Sequence, residues 1–263
     1  MNRALLQRLV PNTLAAATEG RQRADIGPFA LFVSDASDDP IQSFAVPVAP
    51  APDWRPAVAE LQQAFDAAGR RFRVEFFREL HPALSPTLYA MGYEREMEAP
   101  LMLLHRDVYR PGRDADANGP ARLLAPGDEA AIDALMLVQH EAFDQPLDEA
   151  GEADFRIRLR QGLARGSRQA ALARLDGVPA ASGLLLIGGD TAELAAVGTR
   201  PAFRRRGLAE AVCRRLLESY LGTEALVWLS AAAGAEPLYT KLGFRPVGTQ
   251  LNFGGPGFVS HSK

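Results

Sequence analysis

The stretch Ala195-Ala196-Val197-Gly198-Thr199-Arg200-Pro201-Ala202-Phe203-Arg204-Arg205-Arg206-Gly207-Leu208-Ala209 constrains the fold more than any other part of the chain. A short apolar run leads into it, and Leu208, Ala211, Val212, Leu216 and Tyr220 follow at helical spacing, so it reads as strand, tight loop and helix start. The first turn of a helix carries unpaired N–H donors and the positive end of the macrodipole, which together seat an anion. Gly207 lets the backbone approach closely, while Arg204, Arg205 and Arg206 surround the donors with fixed positive charge. That combination suits a di- or triphosphate better than a carboxylate. Without a ligand, the same residues read as a strand-turn-helix with a solvated arginine cluster.

A second pattern lies downstream. Ala225-Leu226-Val227-Trp228-Leu229-Ser230 is a strand run, and Glu236-Pro237-Leu238-Tyr239-Thr240-Lys241-Leu242-Gly243-Phe244 is a short helix closed by glycine and an aromatic residue. Taken with Arg204-x-x-Gly207-x-Ala209, this order resembles the GCN5-related N-acetyltransferases (GNAT): a pyrophosphate loop, then a helix ending in Leu-Tyr-x-Lys-Leu-Gly-Phe. The resemblance covers residues 121–263. It departs from the family pattern at Ala232, where an asparagine often stands, and at Ala209, where glycine is commoner.

Composition sets the limits. The 263 residues are 47% hydrophobic and 23% charged, as in a globular protein long enough for one large domain or two of ordinary size. The net charge of −3 argues against nucleic acid as the main partner. Cys213 is the sole cysteine, which rules out an intramolecular disulfide and a cysteine metal cluster. The first residues lack the apolar core of a secretory leader, no stretch is apolar enough to span a membrane, and the expectation is a cytoplasmic protein with no metal.

The chain reads in two halves. Helices are expected over 4–18, 53–68 and 86–91, with Asp53 available as an N-cap, and strands over 28–34, 44–48, 72–80 and 95–104. Residues 106–120 are polar and turn-rich, and are taken as a linker. The second half reads strand 121–124, helices 128–142 and 152–164, and strands 170–175, 180–187 and 191–197. The phosphate loop, helix 208–221, strand 225–230, helix 235–242 and strand 246–253 complete it. Asp176-Gly177 marks a hairpin.

The first half echoes the second, because Pro86–Tyr93 lines up with Pro237–Phe244 when the glycines are superposed. Where its phosphate loop should lie stands Pro50-Ala51-Pro52-Asp53-Trp54-Arg55-Pro56, with no glycine and three prolines that have no N–H to donate. The expected fold is α+β: two acyl-CoA N-acyltransferase-like domains, each a mixed, mostly antiparallel sheet flanked by helices. Residues 1–105 form a degenerate copy without a cofactor loop, and residues 121–263 the catalytic one. An unrelated small α/β domain with a similar helix-glycine-aromatic ending is the other reading of the first half.

The family resemblance implies acetyl-CoA as cosubstrate and a primary amine, on a small molecule or peptide, as acceptor. It places the cofactor on Val197, Thr199, Arg204, Arg205, Arg206, Gly207, Leu208 and Ala209, with the Val197 N–H polarising the thioester carbonyl. Tyr239 stands where many members carry a general acid. Its phenol, of ordinary pKa ~10, would face a thiol leaving group of pKa ~8.5. Packing beneath the cofactor is the alternative for Tyr239. Glu193, eleven positions before Arg204, is the candidate base, directly or through water, or else a solvated strand carboxylate. His140, Glu141 and Asp144 fall in the segment that shapes the acceptor side in relatives. Two other classes stay open: a non-catalytic acyl-CoA-binding sensor, and a nucleotide-binding protein, though the lysine and glycine-rich loop of the latter are missing.

Overall fold

The computed structural model describes residues 3–37, 40–109, 119–143, 149–221 and 226–255. In chain order the elements are α1 Arg3–Thr18, β1 Gln22–Ile26, β2 Phe29–Val33, β3 Phe44–Pro47, α2 Trp54–Ala67, β4 Arg73–Phe77, α3 Leu84–Ala90 and β5 Glu94–His105. Then come β6 Ala121–Leu123, α4 Glu129–Phe143, α5 Glu149–Arg165, β7 Arg168–Leu175, β8 Val178–Gly188 and β9 Thr191–Thr199. The chain continues through α6 Leu208–Tyr220, β10 Leu226–Ser230, α7 Glu236–Leu242 and β11 Arg245–Gly254. Two compact units result: Met1–Leu101 with Pro246–Lys263, and Met102–Arg245.

The first unit orders its strands β1-β2-β3-β4-β11-β5. β1, β2 and β3 pair antiparallel, β3 and β4 are parallel, and β4 and β11 are antiparallel. Its core gathers Phe29, Trp54, Leu61, Phe65 and Val74 with Leu251 and Phe253 of β11. Here the expected boundary is corrected, because residues 246–253 were assigned to the second domain. They lie instead against β4 in the first unit, with Leu251 opposite Phe76 and Phe253 opposite Val74. The apolar side chains of β11 fill the core in which they end, a choice that periodicity along one strand does not encode. The polar β1 was also missed. It is an exposed edge, so it has no buried face to impose alternation.

The second unit orders β10-β9-β8-β7-β6, antiparallel except for the β9–β10 pair. The Asp176-Gly177 hairpin forms as expected, both residues having positive φ. Two apolar layers cover the sheet. Leu185, Ala192 and Leu194 pack with Val212, Leu216 and Tyr239 on one face. Leu184, Leu186 and Ala196 pack with Ile132, Leu135 and Leu159 on the other. The expected linker at 106–120 lies largely outside the described residues. Its first part is a short 3-10 turn, Arg106–Val108.

Candidate functional site

The site grows from a fault in β9. Leu184 pairs with Ala195 and Ser182 with Gly198, so Gly183 alone stands opposite Ala196 and Val197. This is a β-bulge, and it puts Ala196 in the left-handed region at φ 52°. On its other edge β9 pairs with β10 only from Thr191 to Glu193, opposite Leu226 to Trp228. β10 runs on to Ser230 and β9 to Thr199, so the two strands part. Among the described residues no strand pairs with this edge of β9 beyond Glu193, which leaves a wedge edged by backbone polar groups.

After Thr199 a 3-10 turn, Pro201–Phe203, leads into the loop. Arg205 at φ 64° and Gly207 at φ 76° alternate with Arg206, an arrangement that turns successive N–H groups toward one concavity. Ala211 N–H makes the first helical bond of α6, to Gly207 O at 3.0 Å. The amides of Leu208, Ala209 and Glu210 therefore precede the intrahelical ladder. No side chain caps this helix. Arg204, Arg205, Arg206 and Gly207 are exposed, Ala209 is half-buried, and Leu208 is buried in the core beneath. The Arg204 side chain is already engaged. It donates to Thr199 O and to Ala142 O, each at 3.2 Å.

The last turns of α4 hold this loop, which sequence reasoning missed. Arg200 donates twice to Glu141, at 2.9 and 2.8 Å, donates to Pro179 O at 2.7 Å, and stacks over Phe203. The Arg200 hydrogen bonds hold the Glu141 carboxyl below its ordinary range. A Cβ on Gly198 would come within 2.7 Å of Ala142 Cβ, so α4 packs there only because position 198 is glycine. Gln139 Nε2 donates to Ala196 O at 2.8 Å and to Ser182 Oγ at 2.7 Å. One signal pointed to Gln139. It continues the buried stripe Ile132, Leu135, Met136 at the next helical position, where an apolar residue was due. His140 Nε2 lies 2.8 Å from Glu152 Oε1, whereas Asp144 lies outside the described residues.

Val197 packs against the α6 face of the sheet with Tyr239. Glu193 is half-buried and pairs with Leu186, which belongs to the α4 layer, so its side chain shares that face. The two candidate catalytic side chains thus sit on opposite faces of β9. Tyr239 is 7% exposed. Burial, then the neighbouring Cys213, pushes its phenol well above the ordinary range. Cys213 is itself buried in the core, and its thiol is pushed up to about 12 by desolvation. Lys241 and Arg214 both bond Glu210, at 2.6 and 2.9 Å, which ties α7 to the first turn of α6. Among the described residues no three His, Cys, Asp or Glu side chains gather as a metal site, and no helix is long and apolar enough to cross a membrane.

The first unit repeats part of this plan. Gly92 and Gly243 both close their helices at positive φ, and the following aromatic N–H reaches back five residues in each, Tyr93 to Leu88 O and Phe244 to Tyr239 O. The helix that follows the parallel-paired strand differs. The Asp53 carboxylate accepts from Arg55 N–H at 3.0 Å and caps α2, whereas α6 has no side-chain cap.

A bulged strand splayed from its parallel neighbour and aimed at an uncapped helix is the arrangement of an acyltransferase fold. The acetyltransferase (GNAT) family model matches residues 133–244, and this part of the chain belongs to that family. In solved structures, the chain is similar to a GCN5-related N-acetyltransferase from Kribbella flavida (23% identity, TM-score 0.77, covering 97% of this chain and 96% of that one). It is also similar to a GCN5-related N-acetyltransferase from Sphaerobacter thermophilus (16%, 0.62, 90% and 84%). A tandem GNAT protein from the clavulanic acid biosynthesis pathway is a third (15%, 0.58, 94% and 89%). At these identities the likeness is one of fold. No curated protein matches the sequence.

Proposed function

We propose that the second unit transfers the acetyl group of acetyl-CoA to a primary amine of a small molecule or peptide. The observation that carries this reading is the uncapped N-terminus of α6, lined by the Arg205 to Ala209 amides and continuous with the open edge of β9. A pyrophosphate satisfies the first, and an extended chain of amides satisfies the second as an added strand would. Exposed Arg205 and Arg206 supply countercharge to the phosphates. Thr199, with Arg204 bonded to its carbonyl, fixes the turn between the two parts.

In the reaction the amine nitrogen bonds to the thioester carbon while the carbon–sulfur bond breaks. Charge develops on the carbonyl oxygen, where the Val197 N–H donates. The amine proton passes to Glu193, which lies on the α4 face, through water. The departing sulfur takes a proton or hydrogen bond from the Tyr239 side. Acetyl-CoA binding is assigned to the second unit alone, because Asp53 occupies the anion seat at α2. The test is thiol release from acetyl-CoA across a panel of amines. Release with at least one amine supports transfer, whereas saturable binding with no release from any of them indicates an acyl-CoA sensor.

A further inference from the structure

Gln139 donates to Ser182 and Ala196, neither of them a proposed cosubstrate position, yet through Ala196 it bears on Val197. The group facing Ala196 O must be the amide NH2, because a carbonyl only accepts. Its second proton goes to Ser182 Oγ, buried in β8. The carbonyl so held shares one planar peptide with the Val197 N–H. No peptide among the described residues is cis, so that C=O and that N–H point in opposite directions. With the Ala196 carbonyl drawn to Gln139 of α4, the Val197 N–H points away from α4.

We infer that Gln139 is a positioning residue, one that sets the aim of the Val197 N–H through the bulge peptide. The inference rests on the reading of Val197 given above. Ala196 is a non-glycine residue in the left-handed region, so its conformation persists only where surrounding contacts over-determine it. Gln139 and Ser182 supply those contacts. Without them the plane is free to turn, and the donor is lost while the phosphate seat of α6 stays intact.

The test uses the full chain and three variants. Gln139→Leu keeps the bulk and removes the donor. It should lower kcat about 10- to 100-fold, up to the cost of removing one oxyanion donor, while acetyl-CoA Kd and KM stay within about twofold. Gln139→Leu with Ala196→Gly relieves the backbone strain, and should regain thermal stability without regaining kcat. Gln139→Glu presents a carboxylate that accepts but does not donate, so its kcat relative to the native chain should rise as pH falls and the carboxyl protonates. Native kcat in Gln139→Leu, or recovery of kcat together with stability in the double variant, overturns the inference.

A failure of the parent reading shows itself separately, as a native chain that releases no thiol with any amine. In that case the Val197 amide resonance of valine-labelled protein decides. It should move on adding acetyl-CoA to the native chain and stay still in Gln139→Leu. The same response in both overturns the inference.

Discussion

At Tyr239, burial sets what the hydroxyl can do. A phenol whose pKa lies well above its ordinary value holds its proton tightly, so transfer to a thiolate of ordinary pKa ~8.5 runs uphill. In the proposed reaction its contribution is then a hydrogen bond to the developing sulfur anion. Tyr239→Phe should lower kcat about tenfold, the worth of one such bond, rather than the ~10²–10⁴-fold of a general acid, with KM unchanged. Steady-state kinetics with a good acceptor distinguish the two, and a loss beyond about a hundredfold would restore full proton transfer. Gly207→Glu should abolish acetyl-CoA binding in a folded protein, because it sets bulk and like charge where the phosphates belong and a side chain at φ 76°. Calorimetric titration with a circular dichroism control reads both. Tyr239 and Gly207 were legible in the sequence because they belong to motifs whose spacing reflects local backbone geometry. Gln139 and Ser182 were not, since their partners lie on other elements and no spacing rule reports which carbonyl a buried amide will meet.

Between elements, the contrast of α2 with α6 separates the two units by chemistry. Both helices follow a parallel-paired strand, but α2 satisfies its first turn with the Asp53 carboxylate while α6 has no side-chain cap. Asp53→Ala should therefore destabilise the first unit by about 1 kcal/mol, as loss of an N-cap does, and leave acetyl-CoA binding untouched. Urea unfolding and titration check the two halves of that statement; acetyl-CoA binding that weakens in this variant would place a ligand at α2. The Asp53 cap was readable because capping is local. The bulge in β9 was not. Ala196 carries no glycine-like signature, and its φ of 52° is imposed by α4 and β8 rather than chosen by the residue. The splay of β9 from β10 begins just after Glu193, ahead of that bulge, and no local pattern marks it, so the sequence showed the loop at the end of the wedge without showing the wedge.

Over the whole molecule, each unit has its own core, and one tryptophan reports on each: Trp54 in the first, Trp228 in the second. The first unit also carries a pH dependence. Burial, with help from Arg3, depresses the His81 pKa to about 4 from an ordinary 6.5. The unfolded chain binds a proton there more readily, so stability is complete above pH 6.5 and falls by up to about 3 kcal/mol as pH drops toward 4. Urea midpoints followed through Trp54 should track that fall, and His81→Phe should flatten it. The corrected boundary gives the sharper test. Phe253 lies in the last strand, yet it is fully buried against Phe76 and Tyr89 in the first unit. Phe253→Ala should cost ~3–5 kcal/mol, as truncation of a buried aromatic residue does. In protein whose only tryptophan is Trp54 (Trp228→Phe) the unfolding midpoint should drop. With Trp228 alone (Trp54→Phe) it should hold, although Phe253 is much nearer to Trp228 along the chain. A drop seen only through Trp228 would return the last strand to the second unit.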